Sequence, residues 1–255
     1  MIDIKEMKST AASLGLTNTK NTMEQLIRIA ETKNQTYMEF LHLLLENEIK
    51  YRMNKASEKR IKEAGFPCKK TIESFDLRFQ RAITERQLKQ LAEMKWVEEM
   101  YNLVLLGPPG TGKSHLSIAL GYRATEMGYK VSFITMSGLI QVLRTTEISR
   151  KSKTKLNRIY KSSLVIIDEV GYLPIEETDG NLFFQLISDL HEQASIIITS
   201  NKGFEQWTEF LGDPVLATAI LDRLCYQYDL LMMDGKSYRL EHRKSFLQDD
   251  ESGDL

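Results

Sequence analysis

The stretch Gly107-Pro108-Pro109-Gly110-Thr111-Gly112-Lys113-Ser114 fits the phosphate-binding pattern G-x-x-x-x-G-K-[ST], known as the P-loop. Before it, residues 101–106 (YNLVLL) form a short apolar run that predicts a buried strand. After it, residues 114–127 predict a helix that ends at Gly128. In this context, backbone N–H groups and a helix N-terminus can surround a phosphate. The sequence therefore predicts that the motif, together with the adjoining His115, binds a nucleotide.

Two side chains of the motif have predicted roles in handling ATP and Mg²⁺. Lys113 is expected to reach the β- and γ-phosphates, and the Ser114 hydroxyl is expected to hold the metal. A second apolar strand, residues 164–168 (LVIID), ends in Asp168 and is followed by Glu169. Asp168 is the second expected magnesium ligand, and Glu169 is expected to polarise the attacking water. This division of roles predicts ATP hydrolysis.

Strands alternate with helices beyond the P-loop, which predicts a parallel sheet covered by helices on both faces. Residues 130–135 (KVSFIT) form a further strand between the P-loop and the strand that ends in Asp168. We therefore expect residues 194–200 (ASIIITS) to lie in the sheet between the P-loop strand and the Asp168 strand. Asn201, at its end, would then face the γ-phosphate and the water, because an amide can donate to one and accept from the other. Thr199 and Ser200 are weaker candidates for this place, and a plain turn residue is the alternative for Asn201.

Length and composition limit the class of protein. The chain has 255 residues, of which 42% are hydrophobic and 27% charged, with a formal net charge of −1. This fits one α/β domain with a smaller addition. No apolar run approaches the roughly 18 residues of a membrane span, and the N-terminus has no secretory signal. Cys68 and Cys225 match no metal spacing, so we expect reduced thiols in a cytoplasmic protein that binds no membrane.

The chain is expected to divide into three parts. Residues 1–65 predict a helical N-terminal domain, because apolar residues recur at helical spacing until a Gly-Phe-Pro sequence stops the last helix. Residues 66–247 predict the ATPase domain, which opens with an extended linker over residues 70–82 and a helix over residues 85–100. Residues 248–255 predict an acidic, disordered tail.

Further motifs resemble those of a known family. They are residues 168–174 (DEVGYLP), 199–202 (TSNK), 212–214 (GDP), 219–224 (AILDRL) and 235–239 (GKSYR), which together with the P-loop are similar to the IstB family. IstB proteins are AAA+ ATPase helpers of IS21-type transposons and are related to the DnaC and DnaI helicase loaders. The resemblance implies an α/β AAA+ P-loop ATPase fold with a parallel five-stranded sheet, helices on both faces and a small all-helical N-terminal domain. One feature departs from the AAA+ pattern: the 32 residues after Arg223 (255 − 223) are too few for the helical lid of a typical AAA+ module, so we expect no full C-terminal lid.

The resemblance also implies a function. It implies a bacterial ATPase that forms homo-oligomers on double-stranded target DNA and recruits or stimulates an IS21-type, IstA-like transposase. It implies that Arg223 acts as an arginine finger on the nucleotide of a neighbouring subunit, with a surface pair to Asp222 as the alternative. Arg239 is a weaker candidate for a lid-type sensor. A DnaC/DnaI-like helicase loader and a nucleotide-gated scaffold with negligible turnover stay open as other functions.

Two segments, residues 49–70 and 143–161, concentrate Lys and Arg in a nearly neutral chain. In related AAA+ proteins the second segment faces the centre of the assembly, where DNA passes, so we expect phosphate contacts without base reading. A solvated charged face is the alternative for each segment alone. The predicted DNA-binding residues are Lys55, Lys59, Arg60, Arg144, Arg150, Lys151, Lys153, Lys155 and Arg158.

Overall fold

The computed structural model describes residues 3–172 and 175–243. The predicted tail, the last residues of the predicted ATPase domain and Leu173-Pro174 of the DEVGYLP motif lie outside this part. The chain forms two compact units, Met1–Lys59 and Arg60–Leu255. The division falls within one long helix, and the domain boundary after residue 65 stays a prediction.

The first unit is built from helices, as its apolar spacing predicts. It contains α1 (Ile4–Ser13), α2 (Thr17–Thr32) and most of α3 (Tyr37–Ala64). The buried Glu48 carboxylate accepts hydrogen bonds from the Thr19 backbone N–H at 2.8 Å and from Arg52 Nε at 3.0 Å, which joins the start of α2 to α3. Burial acts to raise the pKa of Glu48, but these hydrogen bonds outweigh it and hold the pKa below its usual value. None of the described helices combines the length and apolar character needed to cross a membrane.

The second unit contains the sheet. Its strands are β1 (Asn102–Leu106), β2 (Val131–Thr135), β3 (Leu164–Val170), β4 (Ser195–Ser200) and β5 (Tyr228–Met232). The strand order is β2-β3-β4-β1-β5, and every pair is parallel. The predicted place of the ASIIITS strand between the P-loop strand and the carboxylate strand is therefore confirmed. All carboxyl ends of the strands meet at one edge, where a doubly covered sheet binds its ligands.

Helices cover both faces of the sheet. The described helices of this unit, beyond the end of α3, are α4 (Glu85–Ala92), α5 (Lys95–Glu98), α6 (Lys113–Glu126), α7 (Met136–Thr145), α8 (Arg150–Tyr160), α9 (Glu177–Leu190), α10 (Trp207–Leu211), α11 (Pro214–Leu224) and α12 (Tyr238–Glu241). Successive residues of β3 point to opposite faces, so Val165 packs in one hydrophobic cluster and Ile166 in the other. The first cluster is closed by α7, α9, α10 and α11, and the second by α4, α5 and α6.

Two local predictions in this unit were wrong. Residues 70–82 are not a plain extended linker, because they include a 3₁₀ helix at Ile72–Ser74 and the buried Phe75. The helix predicted over residues 85–100 is interrupted at Met94, whose φ of 60° is left-handed and which ends α4 before α5 begins. Met94 is fully buried, so packing of its side chain outweighs the cost of this backbone conformation.

Candidate nucleotide-binding site

The P-loop runs from the end of β1 to the start of α6. Its glycines, Gly107, Gly110 and Gly112, have φ values of 146°, 83° and 99°. A side-chain carbon at Gly107 would meet the carbonyl oxygen of Met233, and one at Gly110 would meet the side chain of Ser237. The first two glycines are therefore needed both for their backbone conformation and for close approach of the chain after β5. The loop therefore has the glycine-dependent backbone that the P-loop pattern predicts.

Lys113 begins α6 and lies over the loop. Its ammonium Nζ donates to the carbonyl oxygens of Gly107 at 2.5 Å and Pro108 at 2.7 Å. Burial lowers the pKa of Lys113, the Asp168 carboxylate acts in the opposite direction, and the charge of Arg239 adds to the lowering. The Lys113 ammonium, which is predicted to bind the phosphates, therefore lies at the loop, within electrostatic reach of Asp168 and Arg239.

The two predicted magnesium ligands lie together. Ser114 Oγ donates to Asp168 Oδ1 at 2.9 Å, and the same carboxylate oxygen accepts from Thr199 Oγ1 at 2.5 Å. Asp168 is buried at the end of β3. A hydroxyl and a carboxylate are hard oxygen ligands, and Mg²⁺ is commonly held by one or two such groups plus the phosphates of its substrate. In the described part of the chain no group of three or more His, Cys, Asp or Glu side chains forms a denser metal site.

Glu169 departs from the regular strand. Its φ is 64°, and the pairing of β3 with β4 shifts in register between Ile167 and Val170. The Glu169 backbone N–H donates to Thr199 Oγ1 at 3.0 Å, which holds the irregularity in place. The side chain is exposed. The strained backbone turns the Glu169 carboxylate to solvent directly after the buried Asp168 carboxylate. Its role in polarising the attacking water stays a prediction.

Asn201 follows β4 beside the P-loop. The Gly107 backbone N–H donates to the Ser200 carbonyl at 3.2 Å, so the end of β4 adjoins the loop. The two weaker candidates have other hydrogen-bond partners. The Thr199 hydroxyl donates to Asp168, and Ser200 Oγ forms hydrogen bonds with the Lys202 backbone at 3.0 Å. Asn201 is exposed. Its place at the strand end agrees with the predicted role, which stays a prediction.

Arg223 lies near the end of α11 and is half-buried. Its Nη1 donates to the Ala219 carbonyl at 2.9 Å, and its guanidinium lies over the ring of Phe184 with 4.7 Å to the centroid. Among the described residues it forms no ion pair with Asp222, which was the alternative reading of this arginine. The guanidinium is thus positioned by a carbonyl and a ring but keeps its charge and further N–H donors.

No sequence pattern predicted a role for Gln80, which lies within the predicted linker. It is buried, and its Nε2 donates to the carbonyl oxygens of Thr111 at 2.9 Å and Asp234 at 3.3 Å. Its Oε1 accepts from the Ala82 backbone N–H at 2.8 Å. Gln80 therefore joins the segment before α4, the P-loop and the chain after β5. An isolated glutamine in a polar stretch carries no periodic pattern by which it could be found.

Two further segments support the loop. Before α4, Ser74 Oγ lies 3.0 Å from His115 Nε2, and the Phe75 ring meets the His115 ring edge-on at 5.5 Å. The side chain of the predicted His115 is thus held by this segment, and burial lowers its pKa. After β5, the Tyr238 backbone N–H donates to the Gly110 carbonyl at 2.9 Å. This contact brings α12, with Arg239, to the P-loop.

The predicted DNA-binding residues do not form one uniform set. Arg144 is bound by Nε and Nη2 to both carboxylate oxygens of the buried Asp179, each at 2.6 Å, and by Nη2 to Glu176 at 3.1 Å. These hydrogen bonds raise the pKa of Arg144. Arg144 therefore joins α7 to α9, and its charge is balanced within the unit.

The other predicted basic side chains have no carboxylate partner among the described residues. In α8, Arg150, Lys151, Lys153 and Lys155 are exposed. Burial, then the charges of Lys151 and Arg158, lowers the pKa of Lys155, so three cations of this helix are near one another. In the first unit, Lys55 and Lys59 are exposed, and Lys55 lies 5.8 Å from the centroid of the Tyr51 ring.

Comparison with known proteins agrees with this geometry. A family model described as IstB-like ATP binding protein matches residues 9–246. The chain is 40% identical over 239 residues to an insertion sequence IS21 protein of Pseudomonas aeruginosa that is named for ATP binding, and the match covers 94% of this chain and 90% of that one.

Solved structures share the fold. DnaI matches with a TM-score of 0.54 and 20% identity over 64% of this chain and 90% of its own. AMPPCP-bound DnaA from Aquifex aeolicus matches with a TM-score of 0.50 and 22% identity over 66% of this chain and 51% of its own. At these identities the shared property is the fold, that of AAA+ P-loop ATPases.

Proposed function

The chain belongs to the family of IstB-like ATP-binding proteins, and we propose that it is a magnesium-dependent ATPase that assembles on double-stranded DNA and recruits or stimulates an IS21-type transposase. The observation that carries the ATPase proposal is the shared hydrogen bonding of Ser114 and Thr199 to Asp168 beside the ammonium of Lys113. This arrangement joins a phosphate-binding loop to a magnesium-binding pair, and it leaves the next carboxylate free for chemistry.

Each residue has a chemical role in this proposal. Lys113 neutralises charge on the β- and γ-phosphates, and the backbone N–H groups of the P-loop orient them. Ser114 and Asp168 hold Mg²⁺, which when bound offsets the negative charge that develops on the phosphate oxygens. Glu169 accepts a proton from the attacking water, and Asn201 orients that water against the γ-phosphate.

Self-association follows from the proposed role of Arg223. Its guanidinium is held at one N–H by the Ala219 carbonyl and rests on Phe184, so the charge is fixed in direction without being neutralised. A planar, permanently charged guanidinium suits the charge that develops on a transferred phosphoryl group. We place it on the nucleotide of a neighbouring copy, so that hydrolysis depends on assembly.

The DNA proposal rests on the exposed cations of α8, together with Lys55 and Lys59 of the first unit. Lysine and arginine side chains on an exposed helix contact backbone phosphates without reading bases. Arg144 is left out of this proposal, because its charge is balanced by Asp179 and Glu176.

The transposase proposal rests on the insertion-sequence relative. The 40% identity over nearly the full length of both chains favours a partner within an insertion sequence over a helicase, because the likeness to DnaI is one of fold. An IS21-type transposase is the partner to test.

The direct test is phosphate release by the purified full chain with MgATP, with and without duplex DNA. We expect the wild type to hydrolyse ATP and DNA to increase its turnover. We expect the Lys113→Ala variant to have no turnover. If the protein binds MgATP but hydrolyses none with or without DNA, the ATPase proposal is wrong and the protein is a nucleotide-gated scaffold.

A further inference from the structure

We propose that a cavity at the amino edge of the sheet binds a backbone phosphate of the DNA, separately from the ATP site. The cavity has a volume of about 340 Å³, which lies at the lower end of the range for ligand pockets. Lys130 precedes β2 and Ser162 lies just before β3, whereas the P-loop and Asp168 lie at the other ends of the strands. This inference rests on the DNA binding proposed above and adds the site through which part of it acts.

The lining has a strong positive bias. Four of its side chains are cationic, three are neutral with hydrogen-bonding groups, and one is acidic. They are Arg60, Lys130, Arg158 and Lys161, then Thr154, Asn157 and Ser162, and finally Glu63; the apolar Val131 completes the lining. Guanidinium and ammonium groups beside hydroxyl and amide donors are the groups that bind phosphate oxygens.

The positive charge of the cavity is not balanced in the way that the charge of Arg144 is. Among the described residues, none of the four cations lies within ion-pairing distance of a carboxylate. Arg60 Nε instead donates to the Thr125 carbonyl at 3.0 Å, and Arg158 Nη1 donates to the Glu63 backbone carbonyl at 2.9 Å. These bonds fix the two guanidiniums in place, leave their charge intact and leave other N–H donors for a ligand.

The charge also continues beyond the cavity, which favours a polymer over a small anion. Lys151, Lys155 and Arg158 stand at positions i, i+4 and i+7 of α8 and therefore share one face of the helix. Burial and the other two cations lower the pKa of Lys155, which places the three charges within electrostatic reach of one another. A strand of phosphodiesters can meet the cavity and this face together, whereas one free phosphate can meet only a part of them.

The test uses the full chain with Lys130→Gln and Lys161→Gln combined. The matched control carries Lys89→Gln and Lys95→Gln, two exposed lysines of α4 and α5. Fluorescence anisotropy gives the affinity for a labelled duplex over a range of salt concentrations. Because each phosphate contact contributes about 0.9 to the magnitude of the slope of log K against log salt, we expect this magnitude to fall by about 0.9 in the cavity variant, which loses one phosphate contact. The control and the affinity for MgATP should not change.

The outcomes separate this inference from the proposed function. An unchanged slope in the cavity variant, with wild-type protein that binds DNA, overturns the inference and leaves the proposed function in place. Wild-type protein that binds no duplex overturns both. Titration of inorganic pyrophosphate forms the third arm: if the cavity variant loses pyrophosphate binding but keeps the wild-type DNA slope, the ligand is a free polyphosphate and the DNA assignment is wrong.

Discussion

The P-loop and the basic helix α8 both carry positive charge, but they use it differently. In the P-loop, Lys113 and Ser114 have partners at hydrogen-bond distance, and Gly107 and Gly110 leave no room for a side chain. In α8, the lysines are exposed and their effect is a shared field. Nucleotide binding at a site with fixed hydrogen-bond partners should be lost when one side chain is removed. DNA binding by a group of exposed charges should weaken by a small step for each charge removed.

Lys113→Ala should have the largest effect. It removes the ammonium that lies over Gly107 and Pro108, where the phosphates are expected. Hydrogen bonds to charged groups contribute about 1.5–3 kcal/mol each, so we expect titration calorimetry to show at least a ~100-fold loss of MgATP affinity and no turnover. Lys89→Ala, an exposed lysine paired with Glu85, is the control and should bind ATP normally. Micromolar ATP binding by Lys113→Ala would contradict the P-loop assignment.

Arg223→Ala should bind MgATP nearly as the wild type does and lose turnover. An arginine finger contributes about 10³–10⁵ in rate in well-studied GTPases, and a neighbour's site would lose this contribution. Arg223→Lys keeps the charge but not the planar fork and should recover only part of the rate. The measurement is phosphate release as a function of protein concentration, which should rise more than linearly for the wild type. A rate that is linear in wild-type concentration argues for a complete site in each chain.

Glu169→Gln should keep ATP and DNA binding but lower turnover by about 10²–10⁴, the range for general base catalysis. The amide keeps the shape of the side chain and cannot accept the proton from water. Glu192→Gln is a matched control, because Glu192 is also exposed and has a positive φ of 54°. Single-turnover measurements separate the chemical step from binding. Near-wild-type turnover in Glu169→Gln would remove Glu169 from the catalytic step.

Gln80→Ala should have a smaller effect, on binding. The variant removes the hydrogen bonds to the Thr111 and Asp234 carbonyls, which contribute about 0.5–1.5 kcal/mol each. Two such bonds contribute about 1–3 kcal/mol together, so we expect at least a ~5-fold loss of MgATP affinity with little change in the rate at saturating ATP. The exposed Gln90→Ala in α4 serves as the control. If the saturated rate falls and the affinity stays, Gln80 acts on the chemistry and not on the shape of the loop.

The smallest single effects are expected in the basic segment, where a pair of variants sharpens the comparison. Lys153→Gln should lower the salt slope of DNA binding by about 1 and leave the melting temperature unchanged. Arg144→Gln should leave the slope unchanged and lower the melting temperature, because the buried Asp179 loses its partner. The reverse pattern would mean that Arg144 belongs to the DNA surface.

The difference between the two regions also explains how much could be predicted. The P-loop and the strand ends were predictable because their chemistry is encoded by local residue order: the glycines permit the turn, and Asp168 and Asn201 follow apolar strands. Gln80 was not predictable, because its role depends on the Thr111 and Asp234 carbonyls, which are distant in sequence. The pairing of Arg144 with Asp179 likewise depends on the packing of α7 against α9. Charge could be counted from the sequence, but which charges are balanced could not.

The central claim is that Lys113 and Asp168 form the ATP site in one chain and that Arg223 of a neighbour completes it. Mixing two inactive variants tests this most directly. Lys113→Ala has a disabled site and an intact finger, and Arg223→Ala has an intact site and no finger. We predict that phosphate release by the mixture on duplex DNA rises well above that of either variant alone, because mixed assemblies place an intact finger beside an intact site. A mixture that stays inactive, while crosslinking shows both variants in the same assembly, would contradict the account.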